Sequence, residues 1–456
     1  MTDGHSPDTW ALGARGKSPH GIRRLRAAAC LLAAAVAPAP TAGQDRPLAA
    51  DLVEVYRVGG LNAPQWAFFE GREPTGFDAA GNLYVLDAQA GQVVVIDPRG
   101  ELVRTMGRKG EGPGEFDGAG RLFVWRDGRF AVVDMGQAAY QVFGPDGELE
   151  RYVRMGGDAG RLAFLRGMRL ETRADPAGGA LIAQGMPSEL GAMSGALEAL
   201  AELTGETLEL PEAAVDESGL ERLDLTGEVV SATPILRAWK APREEVPGIT
   251  SIEDLRDPSK LWGVTNRIRY FEPHLLWDVL PDGTIAYADS TAYAVKLAAP
   301  GGRVIDVLRR PFAPEAVTDR IRKEVIDREL RRHDEREESQ GVAGAPEFLS
   351  GYFSDMDKAR RAAIEEREFY PEIQIVRAVR ATWDGALWIQ RRGDRPWDNT
   401  GPIDVFGANR EYVGTFAEED LAMPAAFGPG GLVVYWEFDE LDVPTIVVRR
   451  IAEVVR

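Results

Sequence analysis

The sequence predicts an all-β protein, a six-bladed β-propeller of four-stranded antiparallel blades with helical insertions in or after blades three and four. Three observations carry that reading. A unit of turn and apolar strand recurs: Asp78–Asp87 (DAAGNLYVLD), Trp125–Asp134 (WRDGRFAVVD) and Leu280–Asp289 (LPDGTIAYAD) are each followed by a second strand and a second turn glycine. The two turn glycines keep one spacing: Gly81 to Gly100, Gly128 to Gly147 and Gly283 to Gly302 are each 19 residues apart. The strands are short and rich in Val, Ile, Tyr, Phe and Trp, which fit a half-buried pleat. Asp-Gly, Asn and Gly-Gly between them supply the positive φ of tight hairpins.

Three weaker copies complete the set. Ala177–Ala183 (AGGALIA) leads, after an insertion, to Asp224–Gly227. Trp383–Ile389 (WDGALWI) leads to Ile403–Asn409, and Gly428–Tyr435 (GPGGLVVY) leads to Thr445–Val448. A sheet of four such strands cannot cover both its faces alone, whereas six packed radially can. The last unit has no fourth strand after Arg450, and Leu52–Arg57 has no partner of its own. This N-terminal strand is therefore expected to close the ring by joining blade six.

Residues 1–43 are expected to be a signal peptide with a leader extension, leaving 44–456 as a single propeller domain. Arg23, Arg24 and Arg26 precede the apolar run Ala27–Val36; Pro38 and Pro40 break it, and Thr41, Ala42 and Gly43 offer small residues before Gln44. The run is too short to span a bilayer, and no later segment is apolar enough. A secreted or periplasmic location follows. Cys30, read as filler of the apolar run, is the only cysteine, so the mature chain has no disulfide, thiolate zinc site or cysteine nucleophile. Of the four histidines, His274 and His333 remain. The leader carries five basic and two acidic residues, so its removal takes the net charge from −19 to −22. Such a surface repels phosphate backbones and anionic lipid. The expected partner is a small molecule, a carbohydrate or a protein, not a nucleic acid or a membrane, and a monomer is expected.

Gly81–Asp87 (GNLYVLD), Val94–Gly100 (VVIDPRG) and the linker Gly107–Phe116 (GRKGEGPGEF) resemble NHL repeats. Trp277–Gly283 (WDVLPDG) and Asp384–Trp388 (DGALW) resemble the same group of secreted bacterial six-bladed propellers, and the resemblance runs from about Asp51 to Arg450. It implies a protein that binds or scaffolds, although fold likeness does not carry function over. The glycine-rich linker lacks the Gly-Lys-Ser/Thr ending of a phosphate loop and leads into a strand. It reads as an inter-blade turn with Phe116 as a plug.

Two insertions interrupt the repeat, at about 186–222 and 312–369. In the first, Ser188–Leu203 places Leu190, Met193, Leu197 and Leu200 at helical spacing. In the second, Pro314–Arg332 sets Val317, Ile321, Val325 and Leu330 on one face. Asp319 with Lys323, Glu324 with Arg328 and Asp327 with Arg331 stand at i,i+4, and Ser354–Arg367 is a further helix. A cap on one propeller face is the favoured reading of these helices, ahead of a lid or docking arm.

Few residues offer chemistry. The sixth residue after each turn glycine is Asp87, Asp134, Gln184, Asp289, Arg391 or Glu437. An aspartate ring would suit calcium, but the position ends a strand at a hairpin, where aspartate accepts its own turn's N–H groups. The hairpin reading is preferred, and no cofactor or metal is predicted. A lactonase of the gluconolactonase type, whose resemblance implies channel-facing Glu, Asn and Asp, is the alternative function; the expected inner strands hold only Glu171 and Asp278. A Ser-His-Asp triad would need His274 as its base, and no catalytic residue is assigned. What remains is a cationic channel mouth. Arg169 in blade three, His274 and Trp277 in blade four, and Arg377 and Arg380 in blade five are the candidate ligand-binding residues. Arginine beside an aromatic surface suits an anionic or carbohydrate-like ligand. Arg377 and Arg380 are three apart, so in a regular strand only one faces the channel; Arg380 ranks first. A binding or scaffold protein is the reading favoured over a hydrolase.

Overall fold

The structure is a computed structural model that describes residues 45–156, 171–186, 215–243, 248–255, 257, 260, 268–340 and 350–455. Six four-stranded antiparallel sheets form six blades. From the axis outward, blade one is Thr75–Phe77, Leu83–Asp87, Gln92–Ile96 and Leu102–Met106. Blade two is Ala119–Val124, Phe130–Asp134, Ala139–Phe143 and Leu149–Arg154. Blade three is Thr172–Ala174, Ala180–Gln184, Gly219–Asp224 and Ser231–Arg237. Blade four is Leu276–Val279, Ile285–Ala288, Ala294–Ala298 and Val304–Arg309; blade five is Val376–Ala381, Leu387–Arg391, Ile403–Phe406 and Tyr412–Phe416. Blade six joins Ala426–Phe427, Leu432–Phe438 and Pro444–Val455 to the N-terminal strand Ala49–Gly59.

The ring closes as the unpaired ends of the sequence require. Ala49–Gly59 lies antiparallel to Pro444–Val455, with Leu52 opposite Ile451 and Val58 opposite Ile446. The second strands of blades one and two are buried along their whole length, because a neighbouring blade covers each face. The core is accordingly divided among the blade boundaries. Val85, Val94, Ile446 and Val448 pack between blades one and six, and Ala286, Val295, Val376 and Ile389 pack between blades four and five. The turn glycines have positive φ in both positions of the repeat, +85° at Gly81 and +86° at Gly100, where a side chain is disfavoured. Phe116 is buried between blades one and two against Phe143, as the plug reading requires.

The insertions differ in detail from expectation. The helix expected over Ser188–Leu203 lies outside the described residues. The first insertion falls between the second and third strands of blade three and ends earlier than expected, since Gly219–Asp224 already belongs to the sheet. The second holds helix α1 (Asp319–Gln340) and helix α2 (Ser350–Glu365). Helix α1 starts five residues later than Pro314, because Glu315–Ala316 pairs with Glu372–Ile373 in a short ribbon. Val317, Ile321 and Val325 are buried against Ile373, while Leu330 is half-buried. The observed i,i+4 pairs run from base to acid, Arg320 with Glu324 at 2.8 Å and Lys323 with Asp327 at 2.9 Å. No helix among the described residues is long and apolar enough to cross a membrane.

Candidate functional site

The innermost strands converge on an axial channel. Its wall takes Phe77, Val124, Arg173, Asp278, Arg380 and Phe427 from the six blades in turn. At the side of blades three, four and five, the channel adjoins a pocket of about 420 Å³. Arg173 and Arg380 line both spaces and stand at their junction.

The two arginines differ in their partners. Arg173 sits on the first strand of blade three and pairs with Glu171 at 2.8 Å and with Asp278 of blade four at 3.1 Å. Its guanidinium also lies 5.4 Å from the centre of the Trp277 ring. Asp278 is fully engaged: besides Arg173 it accepts the Ala381 N–H at 2.9 Å and the Val279 N–H at 2.9 Å. Burial pushes the Glu171 carboxyl up, but the Arg173 charge overrides it and the net shift is downward. Arg380 has no ion pair among the described residues; its one hydrogen bond is a 3.4 Å donation to the Val379 carbonyl. Desolvation, then the nearby Arg173 charge, lowers its pKa.

Arg377 opens into the same pocket. Its Nη2 donates to the Pro396 carbonyl at 2.8 Å, and its Nε has no partner among the described residues. Desolvation and the Arg392 charge lower its pKa as well. Both Arg377 and Arg380 line the pocket, and of the two only Arg380 also lines the axial channel. The pairing slips between Val376 and Ala378, so Arg377 is the extra residue of a β-bulge. A bulge re-aims a side chain next to a site.

His274 also lines the pocket, and its side chain is exposed there. Desolvation by the pocket wall, with the Arg377 charge second, lowers its pKa below the usual 6.5, so the ring is neutral at neutral pH. Its backbone is held by the buried Gln374 amide, which accepts the His274 N–H at 3.4 Å. Trp277 touches the pocket but is buried among Leu220, Leu275 and Ile285 between blades three and four, so it packs rather than presents a free face. Trp125 is likewise buried between blades. Arg169 lies outside the described residues.

Much of the pocket wall comes from the segment 238–275 between blades three and four, which the repeat does not anticipate. Trp239, 45% exposed, offers an indole face there. Its backbone N–H donates to the buried Asp289 at 2.8 Å, and Lys296 neutralises that carboxylate at 2.7 Å. Lys240 and Arg243 also line the pocket, but each is tied to acid: Lys240 to Glu217 at 2.6 Å, Arg243 to Glu272 at 2.7 Å. The pocket thus combines apolar surface, balanced ion pairs and two guanidiniums without a carboxylate partner among the described residues. Such a site can bind an anionic group beside an apolar or sugar-like body.

The aspartate column is structural in the described residues. Asp134 accepts the N–H groups of Asp117, Gly118 and Gln137; Asp87 accepts that of Ala90. Asp289 holds Trp239 and Lys296.

No protein-family model matches the chain, and no curated protein matches it. Among solved structures, a member of the DUF4221 family from Bacteroides vulgatus is 10% identical, with a TM-score of 0.43 over 90% of this chain and 99% of that one. A Bacteroides fragilis protein is 10% identical, with a TM-score of 0.44 over 91% and 98%. A calcium-binding protein, regucalcin, from Agrobacterium tumefaciens is 10% identical, with a TM-score of 0.36 over 89% and 96%. At these values the structures carry no functional inference.

Proposed function

We propose that this chain is an exported binding protein whose pocket between blades three, four and five takes a small anionic ligand, such as a carboxylate or an acidic sugar. The observation that carries the reading is Arg380. A half-buried guanidinium, beside another arginine and without an ion pair among the described residues, is costly unless an anion completes it. Arg377 stands in the same pocket, Trp239 supplies an apolar wall, and His274 adds a neutral polar group. Against an acidic chain such a cluster focuses an anion locally. The leader at 1–43 supports export, and the NHL-like segments of blades one and two support a binding role. The lactonase alternative lacks support in the channel, because Glu171 and Asp278 already serve Arg173.

The test is equilibrium binding of the protein to a panel of mono- and dicarboxylates, sugar acids, sugar phosphates and neutral sugars. Binding confined to anions is expected. Lactone turnover that depends on added calcium or zinc would overturn the binding-only reading.

A further inference from the structure

A second constellation lies away from the channel, between the two helices of the second insertion. His333 and Glu337 stand one turn apart on α1, so both side chains leave the same face. Asp357 on α2 meets them, and one ligand atom from each of the three lies within 4.8 Å of the others. The His333 side chain is only 4% exposed. Its Nε2 is 2.8 Å from Asp357 Oδ1, yet neither atom makes a hydrogen bond among the described residues.

That contact is informative. Two buried acceptor-bearing atoms at 2.8 Å repel unless a cation lies between or beside them. A proton would need Nε2–H to point along the contact, and the hydrogen-bond geometry is not met. Donors that share a metal ion instead aim at a common point and stand side by side. The other ring nitrogen fits the same picture: Nδ1 is 3.4 Å from Asp334 Oδ1, which Arg361 in turn holds at 2.9 Å. A carboxylate behind the distal nitrogen fixes the tautomer of a metal-binding histidine.

We propose that His333, Glu337 and Asp357 bind a divalent transition-metal ion that pins α1 to α2. One imidazole and two carboxylates suit zinc or a similar ion better than magnesium or calcium, which favour all-oxygen sets. Asp334 acts as a positioning residue through His333. The site is separate from the anion pocket and shares no residue with it.

The experiment is calorimetric titration of the untagged full chain with Zn²⁺ after chelator treatment, with melting curves in Zn²⁺ and in EDTA. A stoichiometric site is expected, and Zn²⁺ should raise the melting temperature. His333→Ala, Asp357→Asn and the exposed Glu337→Gln should each weaken that site at least about 10-fold, and Asp334→Asn about 10- to 100-fold. His274→Ala and the leader variant His5→Ala/His20→Ala should bind as the parent does. Circular dichroism in EDTA identifies variants that fail to fold, and Glu337→Gln then carries the test. Absence of a stoichiometric site, or equal affinity in the folded site variants, overturns the proposal.

Discussion

Replacing Asp404 with asparagine should destabilise the protein by about 3 kcal/mol, at the lower end of the ~3–5 kcal/mol cost of breaking a buried ion pair. Asp404, on the third strand of blade five, is fully buried and accepts Arg310 Nη1 at 2.8 Å and the Thr415 hydroxyl at 2.6 Å, with Arg391 Nε at 3.2 Å. Arg310, which follows the last strand of blade four, is stacked between Phe312 and Tyr412, 4.7 and 4.1 Å from their ring centres. Asparagine keeps the shape but removes the negative charge. Asp45 remains as a partner of both arginines, at 2.8 and 2.7 Å, but it is 42% exposed and in higher dielectric, so it offsets only part of the loss. Equilibrium urea unfolding followed by tryptophan fluorescence gives the difference. Glu54→Gln is the control, since it breaks a pair whose side chains are half exposed and screened by water, so it should change stability far less. Adding Arg310→Met to Asp404→Asn should cost less than the sum of the two single changes, because one orphaned charge is removed. An Asp404→Asn cost no larger than that of Glu54→Gln would refute the account of this boundary.

Ring closure and the pocket histidine give two further expectations. Gly100 has a φ of +86°, and a Cβ there would sit 2.8 Å from Tyr56 Cβ on the closing strand, so Gly100→Ala should cost about 1–3 kcal/mol. Gly114→Ala, at a φ of +80° but facing open space, should cost less in the same urea assay. His274 has a depressed pKa, so below the usual 6.5 the folded state binds fewer protons than the unfolded state. The stability present above that pH is lost as pH falls through the folded pKa. Between about pH 7.5 and about pH 5, urea midpoints should therefore fall less in His274→Asn than in the parent; an equal fall would remove His274 from the explanation.

What was legible in the sequence follows from which residues are constrained locally. Gly81, Gly128 and Gly283 announce the blades because their turns need positive φ, and the strands after them alternate little because both faces are covered. The closing strand was legible from arithmetic, an unpaired Leu52–Arg57 against an incomplete last blade. The pocket was legible only in part. Arg380, Arg377, His274 and Trp277 all reach it, but the bulge that turns Arg377 into the pocket beside the channel leaves no signature in residue types. Arg173 was missed because its partner Asp278 lies 105 residues away and nothing local marks the pair. Trp239, Lys240 and Arg243 were missed because they sit in a connection that carries no repeat. The pairing of His333 with Asp357 depends on how two helices pack, which periodicity alone does not specify.

The measurement closest to the central claim is the affinity of the tightest-binding anion of the panel for the parent, Arg380→Met and Arg377→Met. Charge-assisted hydrogen bonds are worth about 1.5–3 kcal/mol, so Arg380→Met should weaken binding about 10- to 100-fold. Arg377→Met should weaken it by a smaller factor, since part of that guanidinium already serves the Pro396 carbonyl. Arg99→Met, on the exposed surface, should bind as the parent does. A folded Arg380→Met protein that holds the anion with parental affinity would contradict the account.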